Sequence, residues 1–271
     1  MHDRPRHHYP SPRWFCPVVD GDTNGLRGYS ERLRGWGLAQ ASVATKVRSL
    51  KAFGRSLAAE EYVARDPFAR MRRTRVDDAP VVTLTPGEVD RLLVACDRRR
   101  PTGARDFAIM LLLFSTGLRA GEVLGLRADD LDPDKGLIVV RRGKGGRFRV
   151  VPLGRAVEKA LYRYLDHPGR RALGDGSRVF LTDEGTPLTM RGLQVMLRRR
   201  GQAAGIHANP HKWRHSAAVQ YLRGGGRIEA LKALLGHSTL DMTLHYARIA
   251  GVDLAAAHAT ADPARSLKVR G

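Results

Sequence analysis

Apolar residues recur at three- to four-residue spacing through two stretches in the first quarter of the chain. Leu26, Tyr29 and Leu33 share one helical face, and Val43, Val47, Leu50, Phe53 and Leu57 share another after Ser42, a residue suited to capping a helix. Asp66 followed by Pro67 predicts a short third helix over 67–71, with the proline in the first turn, where its missing N–H costs nothing. Ahead of these, residues 1–22 carry Pro, His and Arg without periodicity and read as a flexible leader.

A second pattern follows residues 76–84, a stretch without an apolar stripe that reads as a linker. Thr85-Pro86-Gly87-Glu88 combines a cap, a first-turn proline and a glutamate placed to reach back, after which Val89, Leu92, Leu93 and Cys96 form one face. Residues 105–116 are apolar on most sides and predict a central helix. The period then drops to two: strands over 137–142 and 147–153 flank Gly143-Lys144-Gly145-Gly146, a turn rich in the residue that tolerates positive φ. A helix over 155–166, a further strand over 179–182 and several helices beyond Thr189 complete the reading. The fold class is mainly α with a small β-hairpin sheet: an all-helical domain over 23–75, a mixed α+β domain over 85–250 and a tail over 251–271. In that tail Val252, Leu254, Ala255, Ala256 and Ala259 give a short apolar helix.

Composition adds a partner class. The chain has 271 residues, more than one core usually fills, with 47 Lys and Arg against 27 Asp and Glu, a net charge of +20. The first 80 residues hold 15 basic and 9 acidic groups, net +6, leaving +14 for the other 191, so the charge is not confined to a tail. A polyanionic partner follows, with Lys46, Arg48, Lys51 and Arg55 on the helical domain and Arg142 and Arg147 beside the hairpin turn as candidate contacts. The two cysteines, Cys16 and Cys96, have no CxxC or Cys/His cluster around them, which excludes disulfide scaffolds, zinc fingers and iron–sulfur sites. The longest apolar run, 108–114, is far short of the roughly 20 residues of a membrane span, and residues 1–17 lack a signal-peptide core. A reducing cytosolic setting without a membrane partner is expected.

Four strings carry candidate chemistry: 115–124 with Arg119 and Glu122, 142–147 with Lys144, 211–215 with His211 and Arg214, and Leu-Gly-His at 235–237 followed by Tyr246. Singly, each has a plain structural meaning. Arg119 suits a helix end, Glu122 can simply pair with it at i,i+3, Lys144 suits a turn tip, His237 a cap and Tyr246 a core. HxxR itself is weak, because roughly one is expected by chance and three occur, at 167/170, 211/214 and 245/248. The turn lysine also lacks the spacing of a phosphate-binding P-loop. Together, though, two arginines, a lysine, two histidines and a tyrosine are the parts of a metal-free phosphodiester transfer. Two guanidiniums clamp the non-bridging oxygens, a phenol attacks phosphorus, and a lysine protonates the leaving sugar oxygen.

In that order these strings resemble the tyrosine recombinases of the phage integrase and Xer type, over about residues 25–250. Arg119 matches the first arginine of the family's TGLRxxE string with Glu122 as its supporting acid. Lys144 matches the hairpin lysine, His211 and Arg214 the HxxR pair, His237 the histidine of LGH, and Tyr246 the nucleophile nine residues on. Trp213 stands where the family more often has Leu. The resemblance implies a helical core-binding domain and a catalytic domain closing on double-stranded DNA as a C-shaped clamp. The sequence departs from some phage integrases in that no counterpart of their arm-site-binding module is expected ahead of the helical domain. The resemblance further implies site-specific cutting and rejoining through a 3′-phosphotyrosyl intermediate, no cofactor, metal or ATP, and a homo-oligomer on DNA that is a tetramer in synapsis. The tail helix would dock on a neighbouring subunit. A type IB topoisomerase-like enzyme and a non-catalytic DNA-binding regulator are the alternatives.

Overall fold

The structure, a computed structural model, describes residues 23–69, 82–141, 148–174 and 178–251, without the side chains of 23–27, 41 and 241. It divides into two compact units, Met1–Pro80 and Val81–Gly271. The hairpin turn with Arg142, Lys144 and Arg147, the leader and the tail from residue 252 lie outside the described residues. No helix among the described residues is long and apolar enough to cross a membrane.

In the first unit, α1 (Thr23–Gly35) packs on α2 (Gln40–Ala59) around Leu33, Val43, Val47 and Phe68. Three expectations are corrected here. α2 begins at Gln40, after Ala39, so Ser42 lies inside the helix instead of capping it. Phe53, assigned to the core face, is 52% exposed. The buried stripe continues through Gly54, where an added Cβ would come within 2.5 Å of the Phe68 ring. Because that position carries no side chain, Phe68 fills the place that Phe53 was expected to take. Phe68 reaches it from a turn, its N–H donating to Asp66 Oδ1 at 2.8 Å. Pro67–Met71 was expected to be helical; its described part, through Ala69, is a turn. Lys46, Arg48 and Arg55 are exposed and Lys51 is half-buried. Arg48, Lys51 and Arg55 line one shallow cavity, while Lys46 faces away around the helix.

The second unit opens with α3 (Pro86–Val94), whose Thr85 cap accepts from the Glu88 N–H while the Glu88 carboxylate accepts from Thr85 N–H at 2.8 Å. Val89, Leu92 and Cys96 are buried as expected. α4 (Pro101–Thr116) is the central helix, starting four residues earlier than expected because Pro101 occupies its first turn. It packs on α6 (Arg155–Leu165) and α9 (Pro210–Arg223), and Ile109, Leu112 and Leu113 are fully buried in the same core as Trp213. A three-stranded antiparallel sheet carries β1 (Leu131–Asp132), β2 (Leu137–Val140) and β3 (Arg149–Pro152) in that order, with Ile138 opposite Val151. The two-residue β1 escapes a reading based on alternation. The strand expected over 179–182 is a single bridge from Leu181 to Pro187, with Val179 N–H spent instead on the Leu126 carbonyl. The remaining helices are α5 (Ala120–Gly125), α7 (Pro168–Arg171), α8 (Met190–Ala204), α10 (Ile228–Leu235) and α11 (Asp241–Ala250). The described residues are thus mostly helical with one small sheet, as the hydrophobic pattern indicated.

Candidate active site

Arg119 precedes α5, just after the left-handed Gly117 ends α4. Its side chain is held from behind. Glu122, one turn on, accepts from the Arg119 backbone N–H at 2.7 Å and from its Nη1 at 3.2 Å. The same carboxylate is gripped by Arg149 of β3, Nη1 to Oε1 and Nη2 to Oε2 both at 2.8 Å. Burial alone would raise the Glu122 pKa, but the Arg149 bonds and the Arg119 N–H bring it below the usual carboxylate value. Arg149 also donates Nε to the Leu234 carbonyl at 3.0 Å, so it ties β3 to the end of α10. It passes close under Gly236, whose φ is +65° and whose added Cβ would lie 3.1 Å from Arg149 Nη1. A side chain there is disfavoured twice.

Arg214, on α9, is 8% exposed. Its guanidinium donates to the Gly117 carbonyl at 2.6 Å and the Leu235 carbonyl at 2.9 Å, joining the ends of α4 and α10. Nη2 also lies 3.0 Å from His237 Nε2. Since a guanidinium only donates, Nε2 accepts, which assigns the His237 proton to Nδ1, 3.0 Å from the buried Thr243 hydroxyl. Burial, reinforced by the charges of Arg214, Arg119 and Arg149, lowers the His237 pKa to about 4. Burial and the neighbouring Arg119 likewise lower that of Arg214, to about 10.

Tyr246, on α11, is 5% exposed, its ring nearly parallel to that of His237 at 17° with centroids 6.1 Å apart. Burial raises its pKa while Arg214 and Arg119 pull it down. Its hydroxyl is 2.9 Å from Nδ1 of His215. His211, one turn earlier on α9, is exposed, with its ring 6.5 Å from that of His215. Arg119, His211 and Arg214 line a cleft of about 1010 Å³ whose other wall includes Gln194 and Arg198 of α8.

Arg119, Glu122, Arg214, His237 and Tyr246 are therefore drawn together from three separate strings, with His211 at the cleft. Lys144 falls outside the described residues. Two partners escaped the sequence reading. Arg149 was one basic strand residue among 39 arginines, and its bidentate grip on Glu122 has no local signature. His215, next to Arg214, lies outside the i,i+3 pattern that marks His211, and its partner is 31 residues away.

The other two HxxR pairs are structural or peripheral. Arg170 is 7% exposed, donates to the Val179, Gly174 and Arg178 carbonyls and lies over the Tyr164 ring. His167 caps α7. Arg248 is exposed. Trp213 is fully buried, edge-on to Phe114 at 6.3 Å, so its bulk is absorbed by the core.

The neutral His237 has a consequence for stability. The unfolded chain takes up a proton at this histidine near pH 6.5, whereas the folded protein resists doing so down to about 4. Between those values the unfolded state binds more protons, so stability falls as pH drops through that window. Urea titrations at pH 7 and pH 5 are expected to show this loss, and His237→Gln to reduce it.

Comparison with known proteins gives the family. Residues 82–251 match the phage integrase family. The chain is 34% identical over 232 residues to tyrosine recombinase XerC of Oceanobacillus iheyensis, covering 83% of this chain and 76% of that one. It is 36% identical over 236 residues to tyrosine recombinase XerA of Thermococcus kodakarensis, covering 84% and 79%. Its fold resembles that of the Tn1549 transposon integrase in complex with a circular intermediate DNA, with a TM-score of 0.69 and 24% identity over 85% of this chain and 82% of that one. The chain belongs to the phage integrase family and is a site-specific tyrosine recombinase.

Proposed function

We propose that the protein cuts and rejoins double-stranded DNA at a specific target through a 3′-phosphotyrosyl intermediate on Tyr246, releasing a free 5′-hydroxyl, without metal or ATP. The observation that carries this reading is the convergence of Arg119, Arg214 and His237 around the Tyr246 ring. Charge spreads over the phosphate oxygens in the transition state, and two guanidiniums facing one cleft are suited to hold it. Arg119 is positioned by Glu122 and Arg149, and Arg214 by the Gly117 and Leu235 carbonyls, so neither must reorganise as charge develops. His237, accepting from Arg214, orients that guanidinium and stacks on the nucleophile's ring. His211 lines the same cleft as the two guanidiniums and is assigned a hydrogen bond to the phosphate held there. Lys144 is assigned the proton for the leaving 5′ oxygen. The covalent ester conserves the bond energy for rejoining, which removes any need for a nucleotide.

The partner is duplex DNA, held by the helical core-binding domain (23–75) and the catalytic domain (85–250). Arg48, Lys51 and Arg55 on their shared face of α2, with Arg142 and Arg147, supply phosphate contacts, and Lys46, on the opposite side of the helix, is left out of that set. The protein acts as a homo-oligomer, a tetramer when two sites are paired, and the DNA target places it in the cytoplasm. The tail over 251–271 docks on a neighbouring subunit.

A nicked target that lets the 5′ fragment diffuse away tests the reading. A denaturant-resistant protein–DNA adduct is expected to accumulate in EDTA, and recombinant product to require two target sites. Relaxation of supercoils without recombinants favours a topoisomerase, and binding without adduct a regulator. Affinity is expected to fall steeply with salt, by about 0.9 log units per phosphate neutralised and per log unit of salt. Replacing Arg48 and Arg55 with alanine is expected to lower that slope by about 2. An unchanged slope removes this face of α2 from the DNA interface.

A further inference from the structure

α9 and α11 pack against each other and bring the Tyr246 hydroxyl to 2.9 Å from Nδ1 of His215, with the two rings 5.5 Å apart. Of the two histidines one turn apart on α9, His211 faces the cleft and His215 holds the reacting oxygen. Building on the reading of Tyr246 as nucleophile, we propose that His215 accepts the phenolic proton as Tyr246 attacks phosphorus and returns it when the strand is rejoined.

The chemistry requires a neutral imidazole whose Nδ1 lone pair faces the O–H. Burial keeps His215 neutral at pH 7, with His211 and Arg214 on its own helix and His245 on α11 adding to the effect. Transfer of the proton ahead of attack is uphill, because burial makes the phenol a weaker acid and the imidazole a weaker base. The two events are therefore coupled. As the bond from Tyr246 Oη to phosphorus forms, the phenolic O–H breaks and its proton passes to Nδ1. The bond from phosphorus to the 5′ oxygen breaks, and that oxygen takes a separate proton, assigned above to Lys144. In rejoining, the 5′-hydroxyl attacks the phosphotyrosine and gives its proton back to Lys144, while the bond from phosphorus to Oη breaks and Oη recovers the proton held on His215. No oxidant, reductant or additional reactant enters the cycle. Arg214 and Arg119 lie close enough to favour the developing phenolate.

A hydrogen bond between α9 and α11 could equally serve only to hold the helices together, so the test has to separate basicity from position. His215→Asn places an amide oxygen near the position of Nδ1; it can accept the hydrogen bond but cannot take the proton. On the nicked target this variant is expected to cleave about 10²-fold more slowly, the lower range for a positioned base. The same substitution is then made in protein carrying 3,5-difluorotyrosine at position 246, whose more acidic hydroxyl needs less help. The His215→Asn loss is expected to shrink at least tenfold in that background. An equal loss in both backgrounds overturns the proposal and leaves His215 as a structural tie. His215→Ala, compared in the same two backgrounds, provides the same readout if the Asn variant does not fold. Adduct formation by Tyr246→Phe protein instead refutes the nucleophile itself, which separates failure of that reading from failure of the base.

Discussion

Arg214→Ala lowers the rate of strand cleavage by about 10²-fold or more, the scale observed when one preorganised transition-state donor is removed. The side chain is nearly buried, and its donors are divided between the Gly117 and Leu235 carbonyls, His237 and the cleft. Its loss removes a charge from the phosphate, leaves two carbonyls unpaired and frees His237 from the bond that orients it. Arg214→Lys keeps the charge but cannot make the forked contacts, so most of the loss is expected to persist. Arg119→Ala is expected to fall in the same range with a smaller structural effect, since Glu122 retains Arg149. The appropriate control is Arg248→Ala, at an exposed site, with cleavage close to the unmodified rate. Arg170, which looks equivalent in sequence, would fail as a control because its removal unpairs three carbonyls in the core. Single-turnover cleavage with melting temperature and DNA affinity measured alongside checks the set. Similar losses for Arg248 and Arg214 would contradict the assignment.

The largest expected effect on stability belongs to a residue outside the site. Asp106 is fully buried on α4, where it accepts from Arg105 at 3.1 and 2.9 Å and from Arg200 of α8 at 3.0 and 2.7 Å. Arg105 also donates to the Leu181 carbonyl and Arg200 to that of Ala95, so one carboxylate knits α4, α8 and the segment after α7. Asp106→Ala takes the counter-charge from the Arg200 guanidinium and leaves that of Arg105 only the exposed Asp183 at 3.6 Å, and about 3 kcal/mol of destabilisation is expected. Asp97→Ala, removing an exposed pair with Arg99, is expected to change nothing measurable. Urea unfolding followed by tryptophan fluorescence reads both, since Trp213 lies in the same core.

What was legible in the sequence were features that announce themselves locally. The Thr85–Glu88 box, the apolar α4 and the helices after Thr189 need only spacing and residue type. The strings around Arg119, Arg214 and His237 were legible for a related reason. Each sits at the beginning of a helix or just past the end of one, where glycine, capping residues and charge are compressed into a few positions. The failures that bear on the packing and the site are mostly non-local. Phe53 yielded its place to Phe68 because Gly54 opened a seat that only the folded chain reveals. The two strands beside Lys144 were read, but the third, β1, is too short for alternation to register. Arg149 and His215 matter through partners 27 and 31 residues away, and the charge pattern of an arginine-rich chain cannot single them out. Trp213 keeps one buried indole N–H without a partner among the described residues, and no feature of the structure explains it.

The central claim is that Tyr246 carries the DNA between cutting and rejoining. Adduct trapped on the nicked target, digested with trypsin and nuclease, is expected to yield the peptide 233–248 bearing a 3′-linked nucleotide, with Tyr246 its single tyrosine. Attachment to Tyr221 in the peptide 215–223, or to any residue other than Tyr246, would contradict the account.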